Sequence, residues 1–307
     1  MIPSYPSIFT IGSYGTDKID KGVVEITEKI DGSMFAFGKN EKDGIVMRSK
    51  GQQIFTESVD KMFQNAVDTV TILEDKIDDF KAKDIYIYCE YLSKPKHNVL
   101  SYERVPVNHL IVFGCLVDSE WIVDYEKLKE VANYFGLETV PLLFSGVIEN
   151  NQQISGLMDK MSVLGKEPIE GFVIKNYTQS IELRNKITPL FCKVVREQFK
   201  ERHDKAWKTE GLSGKGKLDL FIESFRTEAR WRKAIQHLRD SGELEIQPRD
   251  IGKLIVEIQR DLVEEESENI KETLYRTYIG TIKRKAIAGF PEFYKEELAK
   301  NTEIGEK

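Results

Sequence analysis

The chain has 307 residues, 40% hydrophobic and 31% charged, with 45 Lys and Arg against 51 Asp and Glu for a formal net charge of −6. This is ordinary globular composition with room for two domains, and it excludes a polycation, so any nucleic-acid contact must come from a local basic surface. Cys89, Cys115 and Cys192 lie far apart in apolar runs without a CxxC or Cys/His cluster, which argues for reduced core cysteines and against a structural zinc.

The N-terminal MIPSYPSIF has no basic segment followed by an apolar one, and no apolar run approaches the ~18 residues of a membrane span. A soluble chain in the reducing cytoplasm, with no membrane partner, is expected. Strand-like runs then follow in order: VVEIT (23–27), SMFAFG (33–38), GIVMRS (44–49), DIYIYCEYL (84–92), HLIVFGCLVD (109–118) and EGFVIKNY (170–177). Between them, residues 56–79 carry Val59, Phe63, Val67 and Val70 at helical spacing, and residues 124–136 form a helix opened by Asp124 and closed by Gly136.

Past residue 200 the alternation gives way to helical patterns. Leu218, Ile222, Phe225, Ala229 and Ile235 mark one helix ending near Gly242; Ile251, Leu254, Ile255, Ile258 and Leu262 mark a second capped by Asp250; Ile270, Leu274 and Ile282 mark a third. GLSGKGK is the natural linker. The expected organisation is a sheet domain over residues 1–208, a linker over 209–217 and a helical domain over 218–307, giving an α+β fold with antiparallel sheets and flanking helices.

KIDG, starting at Lys29, reads locally as a tight hairpin turn in which Asp31 and Gly32 supply positive-φ positions, and a lysine held at the end of a strand by such a turn can point into a cleft. The similar KIDK at Lys18 lacks the glycine and is flanked by Asp17, Asp20 and Lys21, so Lys18 reads as a solvated loop lysine. Downstream come Arg48, then Glu90 inside an otherwise apolar strand, Phe113, Glu170 with Gly171, Lys175 and Lys193. A carboxylate or ammonium in core-like surroundings needs a partner to offset desolvation. Buried lysines facing buried glutamates suit a polyphosphate and a divalent metal.

This ordered series, KxDG, arginine, strand glutamate, aromatic, EGxVIK and a final lysine, resembles the covalent nucleotidyltransferase superfamily of ATP-dependent ligases and capping enzymes. It is most similar to the RNA ligase 2 family, which seals nicks in double-stranded RNA, and the likeness extends into RWRKAIQHLRDSGELEIQPRDIGKLIVEIQRDLVEE (230–265). A DNA ligase or capping guanylyltransferase would carry an OB barrel after this core, and the many short strands of one are missing. A non-catalytic binder of nucleic-acid ends is the alternative from another class. Three positions depart from the family pattern: Asp31 where some members have His, Met34 where Asn is frequent, and Phe191 where the last motif, KxK, has its first lysine.

The resemblance implies an ATP-grasp-like ligase domain followed by a small all-α domain, and ATP-dependent joining of 5′-phosphate and 3′-hydroxyl RNA ends through lysyl-AMP and an adenylylated RNA 5′ end. ATP is the co-substrate and Mg²⁺ or Mn²⁺ the metal. It also implies the roles. Lys29 is the nucleophile, its pKa lowered by partial burial or by positive charge from Lys193 and a metal ion so that the amine is neutral; Glu28 and Ile30 place backbone groups at adenine; Arg48 meets the nucleotide or 5′-phosphate; Glu90 takes the ribose hydroxyls; Phe113 stacks on adenine; Glu170 is the metal-linked carboxylate; Lys175 and Lys193 hold phosphates. Arg226, Arg230, Arg232 and Lys233 on one helix, with Lys283, Arg284 and Lys285 on another, are candidates for a phosphate-backbone clamp on nicked duplex RNA. The sequence specifies no oligomeric partner.

Overall fold

A computed structural model describes residues 1–12, 15–50, 52–55, 61–98, 100–150, 153–154, 156–183, 186–196, 214–223 and 225–304. The fold is mixed α+β, with two largely antiparallel sheets and C-terminal helices. The smaller sheet runs β1 (Ile8–Thr10), β12 (Lys186–Val195), β11 (Gly171–Leu183), β2 (Val23–Lys29) and β10 (Leu142–Val147), with β1 pairing parallel to β12. The larger sheet runs β5 (Gln53–Ile54), β4 (Gly44–Ser49), β3 (Ser33–Asn40), β6 (Ile85–Tyr91), β7 (Leu110–Val117) and β8 (Glu120–Trp121), and β9 (Glu138–Thr139) joins β7 in parallel.

Alternation along each strand sorts the residues into a core face and a cleft face. In the smaller sheet, Val24, Ile26, Phe172, Ile174, Leu190, Cys192 and Val194 pack into one apolar cluster. The register Lys29↔Gly171, Val173↔Lys193 and Lys175↔Phe191 then puts Lys29, Lys175, Phe191 and Lys193 on the other face. In the larger sheet, Phe35, Phe37, Met47, Ile85, Ile87 and Cys89 pack against α1 (Gln64–Ile72), α2 (Glu74–Asp79) and α3 (Tyr125–Phe135). The pairs Met34↔Glu90, Ala36↔Tyr88 and Ala36↔Arg48 therefore turn Glu90 and Arg48 towards the smaller sheet. Asp124 caps α3 by accepting from the backbone of Glu126 and Lys127, and Gly136 ends it at φ 71°, as the sequence indicates. All three cysteines are buried and free.

The KIDG turn is not the expected hairpin. β2 and β3 belong to different sheets, so KIDG carries the chain from one sheet to the other, and neither Asp31 nor Gly32 has positive φ. Gly32 is required instead by close approach: a Cβ there would lie 2.7 Å from both the Tyr91 carbonyl oxygen and Glu90 Cγ. Gly171 is constrained in the same way, its Cβ falling 2.0 Å from the Val194 carbonyl oxygen across the β11–β12 ladder. Gly32→Ala should accordingly cost on the order of 1–3 kcal/mol through overpacking, read as a lower urea midpoint at unchanged slope.

The helical part differs from the sequence pattern. The first expected helix breaks into α4 (Gly214–Glu223) and α5 (Glu228–Asp240), because Thr227 starts a new helix by accepting from the Arg230 backbone. The second and third merge into α6 (Ile251–Ala286), since no breaker interrupts them and their residues are good helix formers. A further helix, α7 (Phe290–Ile304), follows Gly289 at φ 85°.

By packing the chain divides into Met1–Glu265 and Glu266–Lys307. Residues 214–217 of the anticipated linker form the start of α4, while 209–213 fall outside the described residues, as do 56–60 of the anticipated 56–79 helix. No helix among the described residues is long and apolar enough to cross a membrane.

Candidate active site

Lys29 ends β2 and donates through Nζ to Glu170 Oε2 at 2.6 Å. Glu170 immediately precedes β11, whose Gly171 pairs with Lys29, so strand register sets this contact. Burial opposes the charge on Lys29, but Glu170, Glu90 and Asp31 outweigh it and hold the ammonium above its ordinary pKa. The lowered pKa expected from sequence is thus reversed: in the free protein Lys29 is a protonated ion-pair partner. The same crowding pushes both carboxyls up, Glu170 by burial and Glu90 by burial to about 7, with Lys29 opposing in each case.

His97, Asn98, Leu100 and Tyr102 hold the KIDG turn and Ser33 beside it. Asp31 Oδ2 accepts from the Leu100 backbone at 2.7 Å, the Asp31 backbone donates to the Tyr102 hydroxyl at 2.8 Å, and Asn98 Nδ2 donates to the Gly32 carbonyl at 2.6 Å. His97 Nδ1 accepts from the Ser93 backbone, which leaves Nε2 to donate to Ser33 Oγ at 3.0 Å. Burial keeps the His97 imidazole neutral, pushed down to about 4. Sequence reasoning missed these residues; the signal available was a polar run, KHNVLSY, whose His97, Asn98 and Tyr102 turn out buried.

Next to Lys29 an apolar wall is formed by Ile30, Leu92, Tyr102, Ile111, Val140 and Leu164, with Phe113 packed against it. Glu28 faces away from Lys29, accepting from the Val163 backbone at 3.0 Å through Oε2, while its buried Oε1 has no hydrogen-bond partner among the described residues.

Phe113 is a bulge residue. Cys89 pairs with Val112 and Tyr88 with Gly114, so Phe113 has no partner in the ladder and its carbonyl accepts from Lys175 Nζ at 2.6 Å. Its ring meets Tyr5 edge-on at 4.9 Å. Burial lowers Lys175 to about 8, with Glu25 opposing the shift. Arg48 donates to the carbonyls of Ile2 at 2.9 Å and Lys50 at 3.0 Å and to Ser4 Oγ at 3.3 Å, so the N-terminal segment engages its guanidinium. Phe191, at the departing motif position, is buried between Tyr5 and Tyr177, where an ammonium would have been desolvated.

Among the described residues no group of three or more His, Cys, Asp or Glu could hold a metal ion by itself. Glu170 offers one carboxylate to a cation that takes its remaining ligands from phosphate and water, as Mg²⁺ usually does.

A profile of the RNA ligase family matches residues 22–194, which takes in every residue from Lys29 to Lys193. The chain belongs to the RNA ligase family. No curated protein matches. Among solved structures, RNA ligase of Naegleria gruberi with PPi is similar at 16% identity and TM-score 0.48, as are a mutant form with ATP and Mn at 16% and 0.48 and one with AMP and Mn at 15% and 0.47. Each likeness covers 66% of this chain and 58% of the other, so the chain spans under two thirds of those ligases.

Beyond the stretch matched to the RNA ligase family, α5 and α6 bring charge to the same cleft. Lys233 is paired with Asp261 at 2.8 Å and Arg230 with Asp261 at 3.1 Å, so both face inward, unlike an open clamp. Arg232 and Arg226 lie exposed beside Glu228 and Glu223. Lys283, Arg284 and Lys285 are exposed at the end of α6, in the second unit. Lys18 is exposed in a turn, as expected. A separate surface hollow lined by Ile11, Asp17, Asp20, Ile148 and Ile174 shares no residue with the cleft.

Glu90 gives a test independent of chemistry. A carboxyl raised from 4.5 to about 7 favours folding fully below its ordinary value, and this contribution is lost as pH rises through about 7. Glu90→Gln should therefore raise Tm by about 3–6 °C at pH 8, with the gain falling to about a quarter of that near pH 5 and vanishing at still lower pH. A Tm gain equal at both pH values would contradict the burial of this charge.

Proposed function

We propose that the protein is an ATP-dependent RNA ligase that joins 5′-phosphate and 3′-hydroxyl RNA ends, preferentially at nicks in duplex RNA, through a lysyl-AMP intermediate on Lys29. The reading rests above all on one observation, the 2.6 Å contact of Lys29 with Glu170. The domain would be an ATP-grasp-like nucleotidyltransferase followed by a small all-α domain.

In the first step Lys29 Nζ forms a bond to the α-phosphorus of ATP as the bond to the β-phosphate oxygen breaks and pyrophosphate leaves. The attacking amine must be neutral, and the Glu170 ion pair holds a proton on it. A divalent ion, Mg²⁺ or Mn²⁺, taken up by Glu170 and the phosphates would neutralise negative charge at the reacting centre. Engaging Glu170 in that way would lower the Lys29 pKa and let its proton pass to solvent before the attack. Backbone groups of Glu28 and Ile30 would meet the adenine and Phe113 would stack on it, while Glu90 would take the ribose hydroxyls and Lys175 and Lys193 the phosphates.

AMP would then pass to the RNA 5′-phosphate, and the 3′-hydroxyl would displace AMP to close the strand. A-form duplex is recognised through shape and 2′-hydroxyls, so sequence preference is not expected.

The test is incubation with Mg²⁺ and ATP labelled at the α-phosphate, with GTP as control, followed by denaturing electrophoresis. A labelled protein band with ATP supports the reading, and its absence in the wild type defeats it. Nicked duplex RNA, an RNA/DNA hybrid and single-stranded RNA then compete as acceptors; preference for single strands would overturn the nick-sealing part.

A further inference from the structure

Three lysines converge on one carboxylate beside the cleft. Glu265, on α6, receives Lys50 Nζ at 2.5 Å on Oε2 and Lys233 Nζ at 3.5 Å on Oε1. Lys193, from β12, acts electrostatically on the same carboxylate. The three cations come from three separate parts of the fold, the end of β4, the end of β12 and α5, so their convergence is not a by-product of one helix face.

Their position is also informative. Lys193 acts on Glu170, and Lys233 and Glu265 act on Glu90, so the cluster lies within electrostatic reach of both carboxylates that flank Lys29. Lys233 has a further partner in Asp261, which is itself held by Arg230, so the helix pair would remain fastened without Glu265. Burial works against the Glu265 charge, yet the lysines hold its pKa well below the ordinary value. A carboxylate gripped by cations at both oxygens has the charge and oxygen spacing of one edge of a phosphate, and a phosphate offers a third oxygen and greater charge.

We propose that Lys50, Lys193 and Lys233 form a phosphate-binding cradle beside Lys29, that Glu265 occupies this cradle in the free protein, and that the phosphorylated substrate enters by displacing it. This rests on the function proposed above. The shared chemistry is a terminal phosphate, and it has two possible sources: the outer phosphates of ATP, or the 5′-phosphate of RNA. Lys50 and Lys233 would then provide positive charge that the family's last motif lacks here, where Phe191 stands in place of a lysine. Glu265 makes the cradle self-blocked until an anion of higher charge arrives, which discourages capture of weaker anions.

The experiment is calorimetric titration of the full chain with inorganic tripolyphosphate, and separately with a short RNA bearing either a 5′-phosphate or a 5′-hydroxyl. No covalent step is involved with tripolyphosphate or with RNA alone, so failure of the ligase reading leaves the outcome interpretable. Glu265→Gln should tighten binding of one ligand about five- to tenfold, the scale of one released charge-assisted bond. Tightening for tripolyphosphate assigns the cradle to ATP; tightening for 5′-phosphate RNA but not 5′-hydroxyl RNA assigns it to the RNA end.

Lys50→Ala, at a partly exposed side chain, should weaken the same ligand by a similar factor and cancel the gain in the double variant. Unchanged or weaker binding in folded Glu265→Gln protein, with its circular dichroism spectrum intact, would overturn the proposal and leave Glu265 as a helix-docking residue.

Discussion

Lys29→Ala protein will form no labelled adduct with ATP, a loss of at least about a thousandfold, while Lys18→Ala protein will label at the wild-type level. The two lysines share the sequence KID, and their surroundings separate them. Lys18 lies exposed in a turn closed by Lys21 N–H to the Lys18 carbonyl at 3.1 Å. Lys29 is fixed at both ends: by strand register to Gly171 and by Asn98, Leu100 and Tyr102, which grip Asp31 and Gly32. Its Nζ sits against Glu170, with Glu90 and Asp31 contributing to the same field. An adduct that persists in Lys29→Ala would place the nucleophile elsewhere and remove the basis of the proposed mechanism. Adduct loss in Lys18→Ala would show instead that the exposed turn takes part in binding ATP.

Much of this site was legible because a charge in a strand-like run is a short-range signal. Lys29 ends the strand-like run VVEITEK, and Glu90 and Lys175 stand out as charged residues inside the otherwise apolar runs IYIYCEY and EGFVIK, so each was visible as a charge that needs a partner. The ends of α3 were equally local, set by Asp124 and Gly136 within a few residues of the helix.

What escaped depended on contacts far apart in the chain. KIDG looks like a hairpin turn, and nothing within four residues tells that β2 and β3 join different sheets. Gly32 is needed because of Tyr91 and Glu90, some sixty residues on, and not because of its own φ. The Phe113 bulge arises from a register shift against β6 that leaves no mark in the sequence of β7. Arg230 and Lys233 read as surface cations on a helical wheel, yet Asp261 and Glu265 on another helix draw them inward. Pairing across elements, which a single sequence does not display, decides whether a charge faces solvent or a site.

Glu170→Gln is expected to separate the reactivity of Lys29 from its use. The glutamine keeps the volume and a hydrogen-bond acceptor but removes the negative charge that does most to keep Lys29 protonated. With burial still opposing the ammonium, the Lys29 pKa should fall, and at any pH below its wild-type value a larger fraction of the amine is neutral. Labelling of Lys29 by a small amine-reactive reagent at pH 8, read by peptide mass spectrometry, should therefore rise.

Adenylylation by ATP should move the other way, falling by about two to three orders of magnitude. A neutral amide is a poor partner for the divalent ion and cannot stabilise the charge that builds up as pyrophosphate departs. Raising the pH should rescue little, because the missing group is the charge partner of the metal and phosphates, and amine deprotonation is no longer limiting. If adenylylation instead kept pace with chemical labelling, Glu170 would be only a brake on Lys29 and the metal would have to be held elsewhere. If both fell together in protein of unchanged Tm, the ion pair would be positioning the lysine, and the field of Glu170 would not control its protonation.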